Sequence, residues 1–278
     1  MRYFKYNEIL INRFVLTIKM NAKLKIVNIQ TSLFWESAIK NRAYFDKHLS
    51  SLNNDVDIIL LPEMFTSGFT MDANKVFETM DGPTILWMQY WAEKLDAIIG
   101  GSIVIKEKNK FFNRFLIVSE KGVIFFYDKR HTFSLAGENE IYTSGNNSGL
   151  FEYRGWKICL RICYDLRFPV WSRNRNNYDI LIFVANWPKQ RIKAWDTLLQ
   201  ARAIENMCYV SGVNRIGYDD NDLEYPGHSA IYDPMGNLVS GKLSSMEKAV
   251  TAELNYLELM DLRNQLPFLK DKDNFDLH

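Results

Sequence analysis

Along most of this chain, short apolar runs alternate with stretches whose apolar residues recur at helical spacing. Leu24–Gln30 (LKIVNIQ) reads as a strand. Residues 35–52 follow with Ala38, Tyr44, Phe45, His48 and Leu49 on one helical stripe. Val56–Leu61 (VDIILL) is nearly unbroken in its hydrophobicity, the pattern of a strand covered on both faces, and it ends at Pro62-Glu63. Gly82-Pro83 opens a helix over Thr84–Leu95, since proline suits the first helical turn. Ala97–Ile105, Asn113–Ser119 and Val123–Tyr127 then read as three strands joined by turns at Lys106–Lys110 and Lys121-Gly122.

The second half repeats this order. Trp156–Ile162 (WKICLRI) is a strand, a short helix lies around Pro169–Asn174, and Ile180–Val184 is a buried-type strand. A helix over Ala194–Asn206 and a strand over Cys208–Val213 follow. The repeat closes with a hairpin of His228–Tyr232 and Leu238–Lys242 about Pro234-Met235-Gly236. DVDIILLPE matches NYDILIFVAN, IIGGSIVI matches YVSGVNRI, and NRFLIVSEKGVIFFYDK matches HSAIYDPMGNLVSGK. Two β–α–β–α–β–β–β units with a pseudo-two-fold relation predict an α/β fold, a four-layer α-β-β-α sandwich with helices outside two facing sheets. No Gly/Ser/Pro-rich linker divides the halves, so residues 21–278 read as a single domain. The polar segment from Leu257, with Leu266, Pro267 and Phe268 as apolar anchors, reads as a surface-packed tail. Residues 1–20 read as an extension outside the fold, disordered or not native, because Met20 stands just before the first clear strand.

Composition narrows the function. Thirty-four basic residues face thirty-three acidic ones, a formal net charge of +1, so no bulk field attracts nucleic acid. The KEKNK cluster at 106–110 is short and of mixed sign, as at a solvated hairpin tip. The apolar run ILINRFVLTI is interrupted by Arg13 and too short to span a membrane. Three cysteines, Cys159, Cys163 and Cys208, are an odd and sparse set, which argues against a disulfide framework and for a reducing, cytoplasmic setting. The four histidines, at 48, 131, 228 and 278, are scattered, so no metal site is expected.

Ligand sites in α/β sheets lie at the carboxyl ends of strands. Four such ends carry polar residues here: Glu63, Lys129, Cys163 and the pair Asn186-Trp187. Cys163 follows WKICLRI at a strand-to-helix junction, where a helix N-terminus favours a thiolate and free backbone N–H groups can bind an oxyanion. A buried structural cysteine reads equally well from that pattern. Glu63 closes an apolar strand, where a carboxylate is costly without a partner and suited to general-base work, or else to a structural ion pair. Lys129 follows an aromatic strand, in reach of an oxyanion or simply at the surface.

Taken together, ILLPEMFTSGF, FFYDKRHTFSLAGENEIYTSG and RICYDLRFPVWSRN resemble the three hallmark segments of the nitrilase, or carbon–nitrogen hydrolase, superfamily. FVANWP, QARAIENMCYVSGVNRIG and YPGHSAIYDPMGN resemble its later landmarks, and the likeness runs over about residues 22–275. LPEMFTSGF, YDKRH, CYDLRFPVWSRN and ANWP look closest to the omega-amidase branch, which hydrolyses 2-oxoglutaramate and 2-oxosuccinamate. The resemblance implies the same sandwich, no metal or organic cofactor, a small-molecule amide substrate and a homodimer. It implies Glu63, Lys129 and Cys163 as the catalytic set, with Glu138 orienting the lysine and Glu140 as the neighbouring rival for that role. It also implies the backbone N–H of Tyr164 at the oxyanion, and Asn186 and Trp187 lining the pocket. An omega-amide of a dicarboxylate needs a cation for its free carboxylate, for which Arg167, Arg130 and Arg173 are candidates. Thr132 stands where similar sequences carry leucine, a departure expected to affect pocket shape.

Three rival readings follow. A papain-type Cys–His hydrolase would use His131 or His228. A binding protein would keep the sandwich without catalysis. Another member activity, that of an aliphatic amidase, carbamoylase or nitrilase, would keep the machinery and change the pocket.

Overall fold

In the computed structural model, which describes residues 22–277, two mixed sheets face each other. The expected extension over residues 1–20 lies outside the described residues. The first sheet contains β1 (Lys23–Gln30), β2 (Ile58–Leu60), β3 (Ile98–Glu107), β4 (Lys110–Ser119), β5 (Gly122–Asp128) and β13 (Lys248–Asn255), in the order β13-β1-β2-β3-β4-β5. The second contains β6 (Leu150–Tyr153), β7 (Trp156–Ile162), β8 (Ile180–Ala185), β9 (Tyr209–Asn214) and β12 (Ala230–Tyr232), in the order β12-β9-β8-β7-β6. β10 (Ile216–Tyr218) and β11 (Glu224–Pro226) form a separate two-stranded ribbon. In each sheet three central strands run parallel, β1-β2-β3 and β7-β8-β9, flanked by antiparallel neighbours.

Strand alternation builds the layers. Leu24, Ile26, Ile58 and Leu60 face Ile158, Leu160, Ile162, Ile180, Ile182 and Val184 in one core between the sheets. The intervening residues point outward. Val27, Ile29, Ile59 and Leu61 pack under helices α1 (Ala38–Leu49) and α2 (Pro83–Leu95). Cys159, Leu181 and Phe183 pack under α3 (Ile192–Asn206). Each such side chain contributes about 1.5–3 kcal/mol when fully buried, which explains the unbroken apolar runs of β2 and β8. The four-layer α-β-β-α sandwich is therefore present.

Differences from the sequence reading have local causes. Helix α1 starts at Ala38 rather than near Trp35, and its buried stripe includes a polar residue. The Asn41 amide brackets Phe34 and donates to Thr66 O at 2.8 Å, tying the helix to the loop after Glu63. Residues 238–242 do not form the expected strand. Ile231 N donates to the Ser240 hydroxyl instead of a backbone carbonyl, and the Asp233 carboxylate accepts from Met235 N and Asn237 N, so pairing stops at the single bridge Tyr232–Leu238. The edge strands β6 and β13 have no counterpart in the sequence reading. The expected polar tail begins as helix α4 (Tyr256–Gln265), capped by the Asn255 side chain and anchored by buried Leu259, while Phe268 is exposed.

Candidate active site

The carboxyl ends of β2, β5, β7 and β8 converge on one cavity of about 450 Å³. Glu63, Lys129, Cys163, Tyr164, Arg167, Asn186 and Trp187 all line it. Seven residues singled out from the sequence thus meet in one space, although they come from four distant stretches of chain. Glu138 stands directly behind Lys129.

Lys129 Nζ lies 2.8 Å from Glu63 Oε1 and 2.8 Å from Glu138 Oε2, and all three groups are buried. The fixed geometry comes from neighbours. Asn113 Nδ2 donates to Glu63 Oε1 at 2.8 Å and to Glu138 Oε1 at 3.2 Å. Asn186 N donates to Glu63 Oε2 at 2.8 Å, and its side chain donates to Glu63 O at 2.6 Å. Glu138 also accepts from Phe133 N. Glu140 is exposed, so Glu138 is the glutamate on the lysine. Burial opposes the Lys129 charge, but the carboxylates of Glu138 and Glu63 outweigh it and hold the ammonium above the usual lysine range. Burial, reinforced by the Glu63 charge and opposed by Lys129, raises the Glu138 carboxyl. A buried ammonium between two buried carboxylates is a costly arrangement, justified structurally only by complete hydrogen bonding.

Cys163 sits in a left-handed backbone conformation, φ 43°, at the junction of β7 and a 3-10 turn over Cys163–Arg167. Such a conformation in a non-glycine residue costs about 1–3 kcal/mol and persists where surroundings impose it. Here Asp165 imposes it. Its carboxylate accepts from Ile162 N at 3.0 Å, Tyr127 OH at 2.8 Å and His131 N at 3.0 Å. Burial pushes the Asp165 carboxyl up, but the His131 hydrogen bond and the Arg161 charge hold it below the ordinary aspartate range. Burial first, then the Glu63 charge and its hydrogen bond, push the Cys163 thiol well up against the pull of Lys129, opposing the thiolate-favouring effect of the helix end.

The structure separates the arginines. Arg167 lies 5.1 Å from the Trp187 ring centre at the cavity wall. Arg130 and Arg173 line a different cavity and do not reach this one. Arg191, absent from the sequence reading, lines the site beside the Phe133 ring. Thr132 is not among the lining residues, and its hydroxyl faces Ser144 at 3.4 Å. Neither His131, bonded to Asp165, nor His228, bonded to Asp196, lines the cavity, which removes the papain-type arrangement. Trp187 is both wall and core, buried against Trp195 at 5.6 Å.

Asn113 was also missed. Its one signal was an amide among the apolar residues of β4, a polar residue at a position that demands a partner. The far wall, formed by Trp35, Phe69 and Met71 with Asp219 and Tyr225 from the β10–β11 ribbon, carried no signal. Among the described residues, no cluster of three or more His, Cys, Asp or Glu is placed to hold a metal ion, and no helix is long and apolar enough to cross a membrane.

Comparison with known proteins places this geometry in context. The carbon–nitrogen hydrolase family model matches residues 28–262. Omega-amidase YafV of Yersinia enterocolitica is 44% identical over 254 residues, covering 91% of this chain and 98% of that protein. The 2-oxoglutaramate amidase of Bacillus subtilis is 32% identical over 84% of this chain and 90% of its own length. XC1258 of Xanthomonas campestris, a CN-hydrolase superfamily protein with an arsenic adduct in its active site, superposes with a TM-score of 0.89 at 40% identity. That match covers 92% of this chain and 99% of XC1258.

Proposed function

Since the chain belongs to the carbon–nitrogen hydrolase family, we propose that it is an omega-amidase, cleaving the terminal amide of a small 2-oxo dicarboxylate monoamide to acid and ammonia. The observation that carries this reading is the Glu63–Lys129–Glu138 set of contacts, whose Glu63 and Lys129 line the same cavity as the Cys163 thiol.

Glu63 takes the proton from Cys163 as the sulfur attacks the amide carbon. A neutral thiol needs that base, because a free thiol is only a few per cent thiolate at neutral pH and this one is harder still to ionise. Lys129 Nζ and the backbone N–H of Tyr164 hold the tetrahedral oxyanion. Glu63 returns the proton to the leaving nitrogen, ammonia departs, and an acyl thioester remains on Cys163. A water deprotonated by Glu63 then attacks the thioester, releasing the acid and regenerating the thiol. Glu138 and Asn113 keep Lys129 and Glu63 in register throughout. Asn186 and Trp187 shape the pocket, and Arg167 with Arg191 receives the substrate carboxylate.

Three free cysteines suit a reducing cytoplasm, and the exposed apolar side chains Val170 and Ile204 on the outer helical layer suit a homodimer. The test is an ammonia-release screen over 2-oxoglutaramate, 2-oxosuccinamate, aliphatic amides, carbamoyl amino acids and nitriles. Preference for the first two, lost on Arg191→Gln, is the expected result. Equal turnover of uncharged aliphatic amides would remove the omega-amide assignment.

A further inference from the structure

A second cavity, also about 450 Å³, opens on the outer face of β7 and shares no lining residue with the first. Cys159 and Arg161 line this cavity from one face of β7, while the left-handed turn at Cys163, where the strand has ended, carries that side chain to the other. Four arginines line it, Arg130, Arg161, Arg173 and Arg175, and the single lining carboxylate is Asp276.

None of the four forms an ion pair among the described residues. Arg161 is the extreme case, at 4% exposure. Its guanidinium donates only to carbonyls, those of Ser148 at 2.9 Å, Leu160 at 2.7 Å and Trp171 at 2.6 Å, and its Nε has no acceptor. The Tyr127 and Trp171 rings lie 5.4 and 5.0 Å from it. Arg130 rests on the other side of this arrangement, 4.2 Å from the Trp171 ring centre. Arg173 donates to Glu205 O, and Arg175 donates to Phe275 O at 2.7 Å. Each guanidinium is held in place by backbone oxygens or aromatic faces and not by a direct ion pair among the described residues, although Arg161 feels the Asp165 charge at longer range. Buried cations are ordinarily paired. A polar cavity walled by four positioned guanidinium groups, none in a direct ion pair among the described residues, has the chemistry of an anion receptor.

We propose that this cavity is a second binding site, for a small anion bearing two or more carboxylate or phosphate groups. A monovalent anion would leave most of the positive charge unmatched. A cavity of this volume accommodates a metabolite-sized molecule rather than a polymer. Arg130, Arg173 and Arg175, all part-exposed, make the direct contacts, while Arg161 supplies charge from the floor. The site also abuts the elbow of the first cavity, since Trp171 Nε1 donates to Tyr127 OH at 2.9 Å and Tyr127 donates on to Asp165.

The test is calorimetric titration of the full chain with citrate and, separately, with pyrophosphate, at fixed ionic strength. It is repeated on Arg130→Gln and Arg175→Gln, which remove charge from two different segments. Saturable binding of one ligand per chain, weakened roughly tenfold or more in both variants, is the expected result. The tighter ligand identifies carboxylate or phosphate as the preferred group. Three results overturn the proposal: no saturable binding of either anion, binding that both variants leave unchanged, or the same response to sodium chloride at matched ionic strength.

Discussion

The two halves of this protein use one device twice and then part company. Asp57, just before β2, accepts from Lys25 N at 2.7 Å, and Asp179, just before β8, accepts from Lys157 N at 2.9 Å. Each returns its own N–H to the same partner's carbonyl and passes its carbonyl to the next parallel strand, at Ile98 and Tyr209. Each is paired with an arginine, Arg154 or Arg263. Even the helices before β3 and β9 end alike, on left-handed Asp96 and Met207. At the other ends of the strands the likeness stops. The first half delivers Glu63 and Lys129, and the second delivers Cys163 and Asn186, while Lys242, the repeat's match to Lys129, is exposed. The amino ends of the parallel strands thus hold the frame together, and the carboxyl ends are free to carry chemistry.

That division is open to attack by substitution. Cys163→Ala removes the nucleophile and little volume. Ammonia release should fall below detection while Tm stays within a few degrees of wild type, and residual turnover near the wild-type rate would dissolve the contrast between halves. Lys129→Ala deletes the proposed oxyanion donor and strands two buried carboxylates. A loss of roughly a hundredfold or more in kcat is expected, together with a lower Tm. Glu138→Gln keeps the shape and removes one charge behind Lys129. A loss of roughly tenfold in kcat with KM nearly unchanged marks a positioning role.

At the frame end, Asp57→Asn and Asp179→Asn should each cost about 1–3 kcal/mol in denaturant unfolding. Asp179, the more buried, should cost more, and kcat should be untouched in both. A kcat loss matching that of Glu138→Gln would erase the distinction between strand ends. The smallest effect concerns pH. The Asp165 carboxyl is held below its ordinary value of ~3.9, so the stability it contributes is present above that value and lost as pH falls through its lower folded value. Wild type should therefore lose Tm across that acid window more steeply than Asp165→Asn, although the variant is less stable at neutral pH.

The frame was legible because burial on both faces forces unbroken apolar runs, so β2 and β8 announce themselves in VDIILL and ILIFV, while β7 shows in the alternation of WKICLRI. That Glu63, Lys129 and Cys163 meet in one cavity was legible for the complementary reason: a polar or thiol side chain closing such a run stands out. Residues 238–242 misled because side-chain oxygens of Asp233 and Ser240 displaced the backbone pairing that the turn signal promised. Arg191 and the ribbon residues were hidden since they reach the cavity through loop geometry, which leaves no period in the sequence. Arg130 and Arg173 looked equivalent to Arg167 in sequence, and only the folded loops around β7 show that they line the second cavity.

The account rests most directly on the sulfur of Cys163. Alkylation with iodoacetamide at about pH 9, where more thiolate is present, followed by peptide mass mapping and ammonia release from 2-oxoglutaramate, tests it. Activity should vanish in proportion to modification of Cys163, with buried Cys159 and Cys208 unmodified. Continued turnover by protein whose Cys163 is fully alkylated would contradict it.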